Sequence, residues 1–370
     1  MERMKRMNLL APALVAGLLA GGLTALRAAA EDEITKIGSV DISADLPEYP
    51  DSKVMVDTTP FKKEGPYVIG YADASLANSW RIMAKASVDW GIAKSNGKAT
   101  LAYTNANDSA AKQIADIEDL LAQKVDAIIL AATDVNALCP SIDKAVKQGV
   151  PVLILERDVN CPGYTTFIDA RNIQNGVLQG AYVADKLNGE GDVVISGGIQ
   201  ASGSTVTTID AITKVLSRYP GIKVVATEYA SYQPAKCKQI MDALLTRFEK
   251  IDAVVSISGN QGVGCFEAVK EADRVAEVKA WTGDDANGWM KIVATEKIPS
   301  IITPIPTYSG MHAVEEAIKI LEGQEVPRDF LVPKPQITSD NIGDYAKLDR
   351  PDEWWYTAGM PCEFDPYCKK

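Results

Sequence analysis

Histidine is almost missing from this 370-residue chain, which contains only His312. With a single imidazole, no G-x-S-x-G turn and no Cys/His spacing of zinc type, hydrolytic or metal-assisted catalysis has few groups to work with. His312 lies in an amphipathic stretch from Ser309 to Leu321 and reads as an ordinary helix residue. Phosphate-cradling motifs are also missing. The stretch Gly259-Asn-Gln-Gly262-Val-Gly264 is not G-x-G-x-x-G, and no G-x-x-x-x-G-K-[ST] occurs, so no nucleotide cofactor is expected. Beyond Ala30 no apolar run approaches the roughly 18 residues of a membrane span. Basic charge is scarce: residues 31–370 hold 48 acidic against 34 basic side chains, a formal charge of −14. Such a surface repels phosphate backbones and argues against a nucleic-acid partner.

The first thirty residues have the form of an export signal cleaved near Ala30. Arg3, Lys5 and Arg6 precede the apolar run Leu9 to Ala20, and Ala28 and Ala30 are small. The reading leads to a periplasmic protein, with an uncleaved anchor as the alternative. Residues 31–65, rich in Asp, Glu, Pro and Lys, are expected to form an extended arm on the surface or a mobile one.

From Tyr67 onward short apolar runs alternate with helix-period segments. Tyr67 to Ala72, Thr100 to Thr104, Ala127 to Ala131 and Val152 to Glu156 are the first strand candidates. Asp192 to Ser196, Lys223 to Glu228, Ala253 to Ser256 and Val278 to Thr282 repeat the rhythm. Between them Asp108 is placed to cap a helix with the stripe Ile114, Ile117, Leu120 and Leu121. Pro140 opens and Gly149 closes the next helix. Strand–helix alternation predicts parallel β-α-β units, and a chain of this length exceeds one hydrophobic core. The expectation is an α/β protein of two doubly wound lobes.

Six cysteines, all in the exported part, suggest disulfides. Pairing by neighbours, Cys139 with Cys161, Cys237 with Cys265 and Cys362 with Cys368, is one of fifteen connectivities, and buried thiols are the alternative. In an open parallel sheet ligands sit beyond the carboxyl ends of the strands. That rule singles out Asn78 to Arg81, Glu156 to Asp158, Ser258 to Gln261, Asp284 and Asp285.

Over about residues 66–345 the chain resembles the type I periplasmic binding proteins, the ribose-binding and related sugar-binding family. The resemblance is carried by Asn78-Ser-Trp-Arg81, Ala131-Ala-Thr-Asp134, Pro151-Val-Leu-Ile-Leu-Glu-Arg157 and Gly283-Asp-Asp285, in that order and spacing. It implies two lobes joined by a three-crossover hinge. Lobe 1 would be 66–169 plus 305–333 and lobe 2 would be 170–304 plus 334–345, with hinges near Asp169, Pro304 and Pro333 and a tail at 346–370. By resemblance, Asn78, Trp80, Arg81, Glu156 and Arg157 would contact ligand from lobe 1. Thr208, Tyr232, Asn260 and Asp284 or Asp285 would do so from lobe 2.

Three departures stand out within that resemblance. Thr208 replaces a family arginine, Ser258 or Asn260 takes an asparagine's place, and Pro304 replaces a hinge glutamine. Together with Arg81, where the family often has an aromatic, they imply a differently shaped pocket for a larger, partly anionic or acyclic ligand. The implied role is a monomeric receptor that delivers a sugar, polyol or cyclitol to the membrane permease of an ABC transporter. A receptor presenting a sugar-like signal to a membrane sensor is the alternative, and a carbohydrate-active enzyme using Glu156 and Asp284 is a third reading. Simpler readings stand beside these: Trp80 and Tyr232 as packing residues, Glu156 with Arg157 as a structural ion pair, and the tail with Trp354 and Trp355 as a cap over a lobe.

Overall fold

The computed structural model describes residues 34–338 and 341–368, so the expected export leader lies outside the described residues. Two parallel sheets organise the chain. The first contains β1 (Tyr67–Asp73), β2 (Ala99–Asn105), β3 (Ala127–Leu130), β4 (Val152–Leu155) and β5 (Thr166–Asp169). The second contains β6 (Glu190–Gly197), β7 (Gly221–Tyr229), β8 (Ala253–Ser256), β9 (Ala280–Gly283) and β10 (Ser300–Ile302). A last strand, β11 (Asp329–Leu331), returns to the edge of the first sheet beside β5. The orders are β11-β5-β4-β3-β1-β2 and β7-β6-β8-β9-β10. Each lobe is therefore wound both ways from its first strand, which creates a switch point between β1 and β3 and another between β6 and β8. Every residue of β3, β4, β8 and β9 is buried, as strands covered by helices on both faces must be.

The sheets are covered by α1 (Ser79–Lys94), α2 (Ala110–Ala122), α3 (Cys139–Lys147), α4 (Asn172–Lys186), α5 (Gly203–Leu216), α6 (Pro234–Arg247), α7 (Gly259–Glu271), α8 (Asn287–Glu296) and α9 (Ser309–Leu321), and a single turn of helix follows at Ile342–Tyr345. The cap of α2 is Ser109 rather than the expected Asp108: its extended backbone lets Oγ accept the Lys112 N–H at 3.2 Å. Asp108 itself is left-handed, with φ of 58°. The expected strand from Val278 begins at Ala280, because Val275–Glu277 form a 3₁₀ turn. Gly264, in the glycine-rich stretch, is scaffold: a Cβ there would lie 1.9 Å from the Pro234 carbonyl oxygen, so α7 packs against α6 only without a side chain.

Of the two forms expected for the N-terminal arm, on the surface or mobile, its described part takes the first and is docked. Lys36–Ile37 and Val40–Asp41 form a small antiparallel pair, Val40 and Ile42 are buried, and the Ser39 N–H and Oγ–H both donate to Asp185 of α4. Farther on, Met55–Val56 pairs with Val326–Pro327, and Thr58 donates to the Gln324 carbonyl at 2.7 Å. The arm thus runs from the second lobe to the first. Backbone pairing and two buried aliphatic side chains hold it despite its polar composition.

The six cysteines pair as neighbours. Cys139–Cys161 joins the start of α3 to the loop after β4, at a sequence separation of 22. Closing such a loop restrains the unfolded chain by about 3 kcal/mol. Replacing both by Ser is expected to lower the free energy of urea unfolding by about that amount, and a change below about 1 kcal/mol would contradict this role.

Candidate functional site

The carboxyl ends of the two sheets face one another across a cleft, and the loops there carry the chemistry. After β1 the chain turns into α1 through Asn78, whose Oδ1 accepts the Arg81 N–H at 2.9 Å as the helix cap. This turn places Asn78, Trp80 and Arg81 on the cleft. After β4 come Glu156 and Arg157. Adjacent residues on an extended strand point to opposite faces, but the left-handed Glu156 (φ 66°) breaks that alternation and both side chains enter the cleft. From the second lobe Thr208 of α5, Tyr232 after β7, Asn260 in the first turn of α7 and Asp284 after β9 line the same pocket. Nine of the ten residues singled out from the sequence are therefore brought together. Asp285 is not among the lining residues. Its buried carboxylate accepts the Ile305 N–H at 2.9 Å and secures the segment returning from β10 to the first lobe.

The geometry is that of buried charge held by short contacts. Arg81 Nη2 donates to Glu156 Oε2 at 2.8 Å, with both side chains almost fully buried. Glu156 makes its hydrogen bond to Arg81 and a longer ion pair with its neighbour Arg157, whose Nε lies 3.9 Å from the same oxygen and whose Nη1 donates to the Ala132 carbonyl at 3.3 Å. The Arg81 guanidinium also stacks over the Trp80 indole, 4.8 Å from the ring centroid. In the second lobe the Tyr232 hydroxyl shares hydrogen bonds with Thr205 Oγ1 at 2.8 Å and Ser204 Oγ at 3.2 Å. Asn260 Nδ2 donates to the Tyr232 carbonyl, while Gln261 is scaffold, its amide bonded to the ends of β6. Among the described residues, the buried atoms Arg81 Nη1, Arg157 Nε and Asn172 Oδ1 have no hydrogen-bond partner. His312 is remote from this chemistry, on α9 beside Glu315 and Phe330.

Ser258, singled out by its strand-end position, also lines the pocket, and five lining residues were not in the sequence-derived set: Asn172, Ser204, Ile257, Ile305 and Trp355. Asn172 and Ser204 also lie at strand-to-helix junctions, so the strand-end rule applied to β5 and β6 would have found them. Ile257 and Ile305 carry no chemical signal, and Trp355 is contributed by the far C-terminal segment.

The lobes also touch directly. Thr207 Oγ1 of α5 donates to Asp158 Oδ2 of the first lobe at 2.9 Å. At Gly203 an added Cβ would lie 2.3 Å from the Asp158 carbonyl oxygen, so this approach requires glycine.

Buried carboxyls at the cleft and crossovers are pushed toward their neutral forms. Asp284 rises to about 8, through burial and then the Asp285 charge, against the Gly259 N–H that favours its ionised form. Asp158 rises to about 7 through burial and then Asp169, while Asp169 and Asp285 rise to about 6, chiefly through burial. Burial pulls Arg81 down, but Glu156 and Asp73 outweigh it and the net shift is upward; Arg157 is lowered by burial and then by Arg81. The four raised carboxyls bind protons more tightly folded than unfolded, where aspartate titrates near 4. Their contribution is complete below that value and is lost as pH rises toward 8. The ligand-free protein is expected to melt several degrees lower at pH 8 than at pH 5, and Asp284→Asn to flatten the upper part of that slope. A melting temperature that rises across this range would contradict the assignment.

The periplasmic binding protein domain family matches residues 69–325. The chain is similar to the xylitol-binding protein of Mycolicibacterium smegmatis, 27% identical over 244 residues that cover 65% of this chain and 69% of the relative. It is also similar to the ribose import binding protein of Bacillus subtilis, 26% identical over 273 residues, 74% and 87% of the two chains. Among solved structures, a fructose-binding periplasmic domain of a hybrid two-component system superposes with a TM-score of 0.69 at 26% identity, covering 76% of this chain and 93% of that one. These relatives and this fold are those of solute-binding proteins, not enzymes, which sets aside the reading of Glu156 and Asp284 as a catalytic pair. The chain belongs to the periplasmic binding protein family.

Proposed function

We propose that this chain captures a sugar, polyol or cyclitol in the periplasm and, as a monomer, delivers it to the membrane permease of an ABC importer. The lobes close around the ligand as a clam shell does. The observation that carries this reading is the pocket itself: buried guanidinium and amide atoms without protein partners stand beside indole and phenol rings, on residues of both lobes. Buried polar atoms left unpaired are costly, and a ligand hydroxyl satisfies them. Charge-assisted hydrogen bonds from Arg81, Arg157 and Glu156 suit hydroxyls, and the aromatic surfaces suit the C–H faces between them. Burial pushes Asp284 toward its protonated form, which offers an O–H, while Glu156 Oε2 accepts from Arg81. The names of the relatives, for xylitol and ribose, support the same solute class.

A second reading has one observation in its favour, the likeness to a sensor's fructose-binding domain. In it the closed form is read by a membrane sensor. A deletion strain that loses uptake supports the importer role, and one that keeps uptake but loses a sugar-induced response supports the sensor role.

Two expectations test the core of the proposal. In thermal melting against D-ribose, xylitol, D-fructose, myo-inositol and sugar acids, at least one compound should raise the melting temperature, because it binds only the folded state. Trp80→Ala or Arg157→Ala should abolish the shift, and silence across the whole panel would sink the solute assignment. Closure has its own test at Gly203, where Val leaves no room for Asp158. Gly203→Val should weaken binding at least tenfold, measured by calorimetry on the folded variant; unchanged affinity would rule out this lobe contact in the bound state.

A further inference from the structure

The C-terminal segment beyond Tyr345 lies outside the matched family region, yet it reaches the pocket. It first docks on the amino end of α8 in the second lobe. Asn287 Nδ2 donates to the Lys347 and Pro351 carbonyls at 2.9 Å each, and the backbone N–H groups of Asn287 and Gly288 donate to the Trp354 and Asp352 carbonyls at 3.0 Å. The next residue, Trp355, forms a β-bridge with Ala286 of that lobe, while its indole Nε1 donates to Ser79 Oγ of the first lobe at 2.9 Å. The Tyr356 carbonyl then accepts from Thr307 Oγ1, and the Cys362–Cys368 loop lies beside Ile82, Lys85 and Ala86 of α1. The segment therefore crosses from one lobe to the other at Trp355, and the crossing point is a wall of the pocket.

The two neighbouring tryptophans divide the work. Trp354 is buried, gives its Nε1–H to Asp365 Oδ2 at 3.0 Å and packs within the tail without lining the pocket. Trp355 is 1% exposed and lines it. Its N–H is taken by Ser79, as that of Trp80 is by the Ile305 carbonyl at 2.8 Å, so neither indole keeps a donor for a ligand. What they offer is apolar ring surface. One face of Trp80 is already covered by Arg81, the residue standing where the resembling family often has an aromatic, and Trp355 makes up the missing aromatic area from another part of the chain.

We propose that Trp355 is a ligand-contacting residue that selects cyclic polyhydroxylated compounds by packing against a ring C–H face. This rests on the solute class proposed above. Rings present contiguous C–H patches that an indole covers well, whereas an open-chain polyol presents them only after its torsions are fixed, at an entropic cost.

Calorimetric titration of the mature protein with D-ribose, D-fructose, myo-inositol and xylitol tests it. Trp355→Ala should lower the affinity of the tightest cyclic ligand relative to xylitol at least tenfold, and Trp355→Phe should keep that ratio within about threefold. Trp355→Leu, which fills much of the same volume, serves if the alanine variant does not fold, and the ratio should again fall. Trp354→Ala should lower the melting temperature but leave the ratio within about threefold, as a purely packing residue does. A ratio unchanged in the Trp355 variants, with stability lost as for Trp354, would overturn the inference alone. A wild type that binds xylitol but no cyclic compound overturns the ring assignment, and a wild type that binds none removes the solute class and this inference with it.

Discussion

Two guanidiniums, Arg81 and Arg157, are held away from water at the floor of the cleft with the Glu156 carboxylate between them. Taking such charges out of water costs several kcal/mol per ion unless partners replace the solvent. The 2.8 Å contact between Arg81 and Glu156, the Ala132 carbonyl on Arg157 and the indole beneath Arg81 supply part of that replacement. The remaining donors point to an occupant of the cleft. Much of the architecture serves to keep this cluster in place: β1 and β4 end side by side about their common neighbour β3, so the loops leaving them bring Arg81 and Glu156 together.

The same problem of unpaired polar groups at strand ends is solved alike in both lobes. In the first, buried Gln113 donates to the Ala72 and Ala131 carbonyls and accepts the Thr133 N–H. In the second, buried Gln261 donates to the Ser196 and Gly197 carbonyls and accepts the Tyr232 N–H. One glutamine at each switch point thus satisfies the backbone where neighbouring strands diverge, and the loops carrying site residues gain a fixed origin. The crossovers are tied similarly. Arg171 Nη2 reaches the Val332 carbonyl at 3.0 Å, Lys334 reaches Asn175 at 2.6 Å, and Gln179 reaches Thr303 at 2.7 Å. Rigid lobes joined by a few bonded strands are the arrangement in which small backbone rotations move large surfaces.

Much of this was legible in the sequence, for physical reasons that differ by element. Strands buried on both faces read as continuous apolar runs, and α9 read as an amphipathic stretch from Ser309 to Leu321, the span it occupies. Strand ends could be located, and so could Asn78, Glu156 and Asp284 beyond them. Asp285 was not separable from Asp284, because adjacent carboxylates differ only in which backbone N–H each meets. The shortest contact of Glu156 had no sequence signal, because the fold brings Arg81 from 75 residues away. Trp355 carried no signal, since its place depends on a tail docking on α8. Composition left the arm open between a surface strap and a mobile segment, because its anchors are mostly backbone bonds and hydroxyls that composition does not reveal.

The central claim is that the two lobes close on a small polyhydroxylated solute, and small-angle X-ray scattering tests it most directly. The radius of gyration would be measured for the ligand-free protein and again at saturation with the compound giving the largest melting shift. The account predicts a smaller radius in the saturated state, with a scattering curve matching the lobe arrangement described here. An unchanged radius at saturation would contradict it.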